Sequence, residues 1–201
     1  MNIIIFIIYN LIFVPIFFVL CHLGAIFNQK LRLAIVGRYW IHHNLRKSGF
    51  KFKSDPLMVV HCASMGEFEH IKPFLVQFKK ARPDFHIIVL FFSPSGYKNV
   101  QSLPGVDLFL YAPFDWFLPV FRFMIRLKPT LWVIAKHDVW PNQVWFANWL
   151  KIPLFLINAS LHSNSKRLKW YSKYFDRVFS GPAKVLHQNQ IFLPLSVSCC
   201  Q

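Results

Sequence analysis

Apolar residues fill the chain from Ile3 to Phe27 almost without a break; Asn10, Pro15, His22 and Gly24 are the interruptions. A run of this length can cross a bilayer, which takes about 20 residues. A cleaved signal peptide is the competing reading. It lacks the basic stretch ahead of the run and the small-x-small cleavage site behind it, so an uncleaved anchor over residues 1–27 is expected. Pro15 leaves a second geometry open, a kinked segment lying in the interface instead of across it.

From 28 to 54 the character changes. Lys30, Arg32, Arg38, Arg46, Lys47, Lys51 and Lys53 all precede the first acidic residue, Asp55. Basic flanks stay on the cytoplasmic side, which predicts a cytoplasmic folded part. Leu33, Ile35, Val36, Tyr39, Trp40 and Leu45 roughly follow a helical period, as a segment lying on anionic headgroups would. A solvated linker that merely obeys the orientation rule reads equally well.

Beyond Asp55 short apolar runs alternate with helical patterns. Strands are predicted at 56–60, 86–92, 106–111, 131–134 and 153–157. Between them come a helix from Glu67 to about Ala81, a short helix near Tyr97, one from Trp116 to Leu127 stopped by Pro129, and one starting near Pro141. A basic amphipathic helix follows over Ser165–Phe179. Such alternation implies an α/β domain over 55–180, with a Rossmann-like parallel sheet covered on both faces. Right-handed crossovers then gather the strand-to-helix turns at 62–67, 93–96, 135–142 and 158–164 on one edge.

Composition sharpens this. Of 201 residues 55% are apolar, and mean hydropathy is +0.37, above the usual soluble balance. Lys and Arg outnumber Asp and Glu by 23 to 8, a net charge of +15, which calls for an anionic partner. The basic residues cluster beside the anchor and match no nucleic-acid module, so nucleic acid is not expected as that partner. Cys21, Cys62, Cys199 and Cys200 show no metal-ligand spacing, so no metal site is expected. Gly-x-Gly-x-x-Gly, Walker A and Gly-x-Ser-x-Gly patterns are absent, which leaves nucleotide cofactors and serine hydrolysis unsupported.

Candidate chemistry sits in the turns. Ser64-Met-Gly-Glu67 reads as a capping box, in which serine and glutamate satisfy amides at a helix start. It reads also as a carboxylate delivered to the carboxyl edge of a sheet, where ligands of open α/β folds bind. The two uses compete for the same oxygens and stay open at this point. Ser93-Pro-Ser-Gly96 and the helix start at Pro141 could each hold a phosphate or be ordinary turns. Lys136-His-Asp138 places three ionisable groups at a strand end, as a polar pocket or a structural ion pair. His61, His86 and His162 are scattered and read as structural.

Together these segments resemble the 3-deoxy-D-manno-octulosonic acid (Kdo) transferases of lipopolysaccharide assembly. His61-Cys-Ala-Ser-Met-Gly-Glu67 is similar to that family's H-A-S-x-G-E, and Phe92-Ser-Pro-Ser-Gly96 to its F-F-S-P-S-G. Asp138-Val-Trp-Pro-Asn142 is similar to E-L-W-P-N, and Asn158-Ala-Ser-Leu161 to N-A-R-L. The resemblance implies the N-terminal half of a GT-B glycosyltransferase, preceded by a hydrophobic membrane-anchor helix at the inner membrane. It implies a metal-independent transfer with no cofactor, from the donor CMP-Kdo to a lipid A precursor, beside anionic inner-membrane lipids. Glu67 would be the general base. Ser64, Gly66, Ser93, Ser95, Gly96, Lys136, Asp138, Asn142 and Asn158 would face the acceptor.

The chain departs from that pattern in carrying Asp138 where the family has glutamate, and Ser160 where some members have arginine. Family members are also longer. Residues 181–201 resemble neither an interdomain linker nor a fold element, so the second, CMP-sugar domain is expected to be absent and activity slight or nil. A non-enzymatic membrane module binding anionic phospho-glycolipid is the alternative.

Overall fold

The computed structural model describes residues 3–50, 55–100, 102–136, 138–157 and 184–186. Its centre is a parallel sheet of β1 (Leu57–Cys62), β2 (His86–Phe91), β3 (Leu108–Tyr111), β4 (Leu131–Ala135), β5 (Leu154–Ile157) and β6 (Lys184–Leu186). The strands lie in the order β3-β2-β1-β4-β5-β6, every pair parallel. Succession runs outward one way from β1 and the other way from β4. The carboxyl ends of β1 and β4 therefore flank the point where ligands of such sheets bind.

The strands are near-continuous apolar runs because both faces are covered. Met58, Val60 and Cys62 of β1 pack with Phe68, Ile71 and Leu75 of α5 (Met65–Ala81). Leu57 and Val59 face the other way, into a core shared with α7 (Phe117–Leu127) and α8 (Pro141–Trp149). α7 stops where Lys128 turns left-handed (φ 47°) ahead of Pro129. A shorter α6 (Pro94–Asn99) follows β2.

Some boundaries differ from the sequence pattern. α5 begins two residues before Glu67, and α6 begins at Pro94, because Ser64 and Ser93 take the cap positions. β3 starts at Leu108, since the Val106 amide is drawn into a turn by the Leu103 carbonyl at 3.0 Å. Lys184–Leu186, expected in an atypical tail, instead pairs with β5 as a sixth strand. The helix expected over Ser165–Phe179 and the Asn158 motif lie outside the described residues.

The basic segment is not a solvated linker. It forms α3 (Gln29–Tyr39) and α4 (Ile41–Lys47), broken at Trp40, and buries Ala34, Ile35, Arg38, Ile41 and Leu45. Gly37 lets α3 approach the sheet, since a Cβ there would run into the Tyr111 ring.

Ahead of it, Ile3–Phe27 is one 25-residue helix, long and apolar enough to cross a bilayer. It comprises α1 (Ile3–Ile8), a π-helical turn over Tyr9–Phe13, and α2 (Val14–Phe27). The wide turn sits just before Pro15, whose missing N–H breaks the ordinary ladder. It turns Tyr9 and Asn10 together onto the domain, where both are buried. Phe6 meets Phe117, Trp145 and Phe146 edge-on, and Phe18 meets Phe114 and Trp116. The opposite face leaves Leu11, Ile12, Ile16, Leu20, Leu23 and Phe27 exposed.

Candidate functional site

At the carboxyl edge the turns after β1 and β2 are laced together, and the turn after β4 is tied to the end of β5. The Phe92 amide donates to the Cys62 carbonyl at 3.0 Å and the Ser93 amide to the Ala63 carbonyl at 2.9 Å. On the far side, Lys136 adopts a left-handed φ of 60° and its amide donates to the Ile157 carbonyl at 2.8 Å. A non-glycine residue in that region is uncommon and stores strain, a recurrent feature of binding edges.

Glu67 is held by its own turn. Its Oε2 accepts the Ala63 N–H at 2.6 Å, while the Ser64 hydroxyl makes no cap bond. The carboxylate thus reaches one residue beyond the cap, and the Ser64 N–H adds a weaker pull on it, the glutamate half of a capping box. A carboxylate has about four acceptor positions, so these two amides orient it without exhausting it. The residue stays half-buried. Burial raises its pKa above the ordinary value, the Ala63 N–H opposes this, Asp138 adds to the rise and Lys136 subtracts from it. Asp138 and Lys136 therefore both act on Glu67 across the carboxyl ends of β1 and β4.

His61 supports this edge from beneath. It is fully buried, and desolvation first, then the Arg38 charge, drive its pKa down to about 3, so it is neutral. Its Nδ1 lies 3.4 Å from Gln143 Nε2, which leaves the proton on Nε2, 4.0 Å from Asp138 Oδ2. That distance makes neither an ion pair with a neutral ring nor a hydrogen bond. Burial likewise pushes the Asp138 pKa up. The Cys62 thiol is buried and its pKa is raised by desolvation and by the nearby Glu67, which removes it as a nucleophile.

The other sequence-predicted residues divide. Gly66 is exposed, and a Cβ there would meet only the Ser64 hydroxyl, at an ordinary 3.9 Å. Ser93 and Ser95 spend their hydroxyls on each other at 2.8 Å, and Ser93 Oγ also caps the Ser95 N–H. Gly96 is buried because a Cβ would strike the Phe91 ring. Asn142 is fully buried, and both its amide hydrogens are used, on Asn10 Oδ1 and on the Asp115 carbonyl. Its side chain joins the N-terminal helix to the domain and has no donor left for a ligand.

Residues that the motifs did not point to complete the edge. Asp115 Oδ2 accepts from Tyr9 Oη at 2.8 Å and from the Asn142 N–H at 3.2 Å. Its pKa is pushed up to about 7 by burial, against the pull of those donors. Trp140 stacks on Phe92 at 4.9 Å, and Arg38 lies over the other side of the edge, 4.3 Å from the Phe92 ring. One signal was available: Asn10 is a lone amide inside an apolar run.

Residues 37–191 match the sequence model of the 3-deoxy-D-manno-octulosonic-acid transferase (kdotransferase) family. The chain belongs to the Kdo transferase family. The parallel sheet and its helices are accordingly a fold of the GT-B type. A Haemophilus influenzae 3-deoxy-D-manno-octulosonic acid transferase is 25% identical over 150 residues, covering 73% of this chain and 34% of that protein. An Aquifex aeolicus Kdo transferase is 30% identical over 142 residues, 70% of this chain and 38% of its own length. A probable mitochondrial Kdo transferase of Arabidopsis thaliana is 30% identical over 117 residues, 58% and 26% respectively. The chain thus spans about a third of the length of these Kdo transferases.

Proposed function

We propose that this chain provides the acceptor side of a transfer of Kdo from CMP-Kdo to a lipid A precursor, at the cytoplasmic face of the inner membrane. Glu67 acts as the general base. The acceptor hydroxyl oxygen bonds to the anomeric carbon of the sugar, and the bond from that carbon to CMP breaks, its electron pair leaving with CMP. The hydroxyl proton passes to Glu67. A carboxylate whose pKa is raised by burial is the stronger base, and such catalysis contributes about 10²–10⁴-fold. Lys136 opposes at Glu67 the rise that Asp138 causes, and the exposed apolar face of the N-terminal helix keeps the site near lipid.

The observation that carries this reading is the half-buried Glu67 carboxylate at the reversal of strand order, beside Asp138 and Lys136. The test places residues 37–157 of this chain in a full-length Kdo transferase, which supplies the CMP-Kdo side, and assays it in mixed micelles with CMP-Kdo and a phosphorylated lipid A precursor. Transfer should fall by about 100-fold or more in Glu67→Gln, with acceptor binding unchanged. Transfer that survives the substitution removes Glu67 from the chemistry.

The bond from the Ala63 amide to Glu67 favours a second reading, a membrane-bound module that holds anionic phospho-glycolipid without turnover. Acceptor binding that is indifferent to Glu67→Gln, with no transfer in either protein, selects it.

A further inference from the structure

A cavity of about 330 Å³ lies between the N-terminal helix, α3 and the turn after β2. Its walls are mainly aromatic and aliphatic, among them Phe13, Phe17 and Phe18 of the helix, Ala34 and Ile35 of α3, and Trp140. Arg38 is the buried cation in that wall. Its residue is only 6% exposed, its Nη1 donates to the Ala34 carbonyl at 2.8 Å, and its Nη2 donates to the Phe92 carbonyl at 2.6 Å. No carboxylate comes within ion-pair distance of it among the described residues.

A guanidinium carries five N–H donors, and two neutral carbonyls leave most of that capacity open; the Phe92 and Phe114 rings, 4.3 and 5.7 Å from its central carbon, soften the charge but supply no counter-ion. Burying a charge without a counter-charge is costly. Burial lowers the Arg38 pKa only to about 10, so the side chain stays charged at neutral pH. Its planar fork suits a two-oxygen anion, phosphate above all. Lys30 also lines the cavity. Asp115 lines it too, but its pKa near 7 and its bonds to Tyr9 and Asn142 blunt its repulsion of an anion. Mainly apolar walls around a buried guanidinium with no carboxylate in ion-pair reach, under a helix whose outer face is apolar, describe an amphipathic anion and not a free one.

We propose that this cavity binds the phosphate of an acylated membrane lipid, with Arg38 gripping the phosphate and the aromatic walls holding the first part of the acyl region. The site stands beside the Glu67 turn, since Phe92, which accepts from Arg38, is bonded to Cys62. The inference goes beyond the proposed transfer and does not depend on Glu67 acting as a base.

The test measures thermal stabilisation of the full chain and its partitioning onto phosphatidylcholine vesicles with and without phosphatidic acid, with inorganic phosphate as a separate arm. A charge-assisted contact predicts that Arg38→Gln weakens the preference for phosphatidic acid by about 10- to 100-fold. Without lipid, Arg38→Gln should be as stable as the parent or more so, because it removes a buried charge. Ala34→Leu, which fills the cavity and keeps the guanidinium, should lose the same preference. Lys47→Gln, on the exposed side of α4, should leave it nearly unchanged. A preference for phosphatidic acid retained in both Arg38→Gln and Ala34→Leu overturns the site, since it would then come from the general positive charge. Equal stabilisation by inorganic phosphate and by phosphatidic acid overturns the acyl part and leaves an anion site. A phosphorylated, acylated glucosamine disaccharide in place of phosphatidic acid then distinguishes a glycolipid headgroup from a phospholipid one.

Discussion

Asn10 and Asn142 exchange two side-chain hydrogen bonds of 3.0 Å each, across 132 positions of sequence. Both residues are buried. One stands in the middle of an apolar helix, the other at the start of α8 in the W-P-N segment. Asn10 Oδ1 also accepts the Phe117 N–H at 3.0 Å, so one amide fastens the helix to the first turns of both α7 and α8.

Asn10→Leu should therefore destabilise the protein although it makes the helix more apolar. Each buried group left unpaired costs about 1–3 kcal/mol, and Asn142 and Phe117 both lose a partner. Adding Asn142→Leu should cost less than the sum of the two single changes, by about 1 kcal/mol. Denaturant unfolding in neutral micelles measures both; strict additivity would show that the two amides do not act as a unit.

Asp115 ties that clamp to pH. Its pKa in the folded protein is about 7, above the roughly 3.9 of an unfolded aspartate. Between those limits the folded state holds a proton that the unfolded chain has released. The stability from this group is therefore fully present below about pH 4 and is lost as pH rises through about 7. Melting temperatures taken from pH 5 to pH 8 should fall with pH more steeply for the parent than for Asp115→Asn, where the group no longer titrates.

Much of the fold was legible because its strands are buried on both faces, and unbroken runs such as Ile87-Ile-Val-Leu-Phe91 have no other economical home. Two strand-to-helix turns carried their own marks, Ser64 as a cap and Pro141 at a helix start, whereas the cap at Ser93 was read as part of a turn ahead of a helix near Tyr97. The site was legible only in outline. Glu67, Asp138 and Lys136 announced themselves by charge, but what each one touches depends on register between strands far apart in sequence. Asn142 shows the limit most plainly: its place in a motif suggested a ligand, and its amide is spent on Asn10 and Asp115. Arg38 lay hidden in a row of basic residues whose other members are mostly exposed, because burial is a property of the α3 packing that its spacing does not encode.

The shared field around Glu67 makes a signed prediction. Asp138 raises its pKa and Lys136 lowers it. Asp138→Asn should move the Glu67 titration down toward the ordinary range, and Lys136→Met should move it up. Carboxyl carbon shifts followed by NMR through a pH series report both. Where Glu67 is the base it works as the carboxylate, so transfer should rise with pH through the same midpoint and follow it in each variant.

Gly37 sets how closely α3, and with it Arg38, approaches the sheet. A Cβ there meets the Tyr111 ring, so Gly37→Ala must displace one or the other. Overpacking of this kind costs about 1–3 kcal/mol, which a melt would register as a clear loss despite alanine's better helix propensity. Gly49, also on this segment but with nothing within 4 Å, has no packing term to lose and is strained only through its φ of 66°.

The N-terminal helix is long enough to span, but its contacts with the domain argue for another orientation. They run from Phe6, against Trp145, to His22, against Phe114. At ~1.5 Å per residue that is about 24 Å, most of a bilayer's apolar thickness. A spanning helix would drag Asp115 and the starts of α7 and α8 into hydrocarbon, where unsatisfied polar groups are expensive. A helix lying in the interface keeps that docked face against protein and sinks the exposed one, Leu11, Ile16, Leu20 and Leu23 among it, by about 5–10 Å. Nitroxide labels placed singly at those positions should report one shallow depth from paired oxygen and nickel-chelate accessibilities. A profile deepest near Leu11 and Ile16 and shallow toward Phe27 would instead mean that the helix crosses the membrane and that its docking on α7 and α8 is released there.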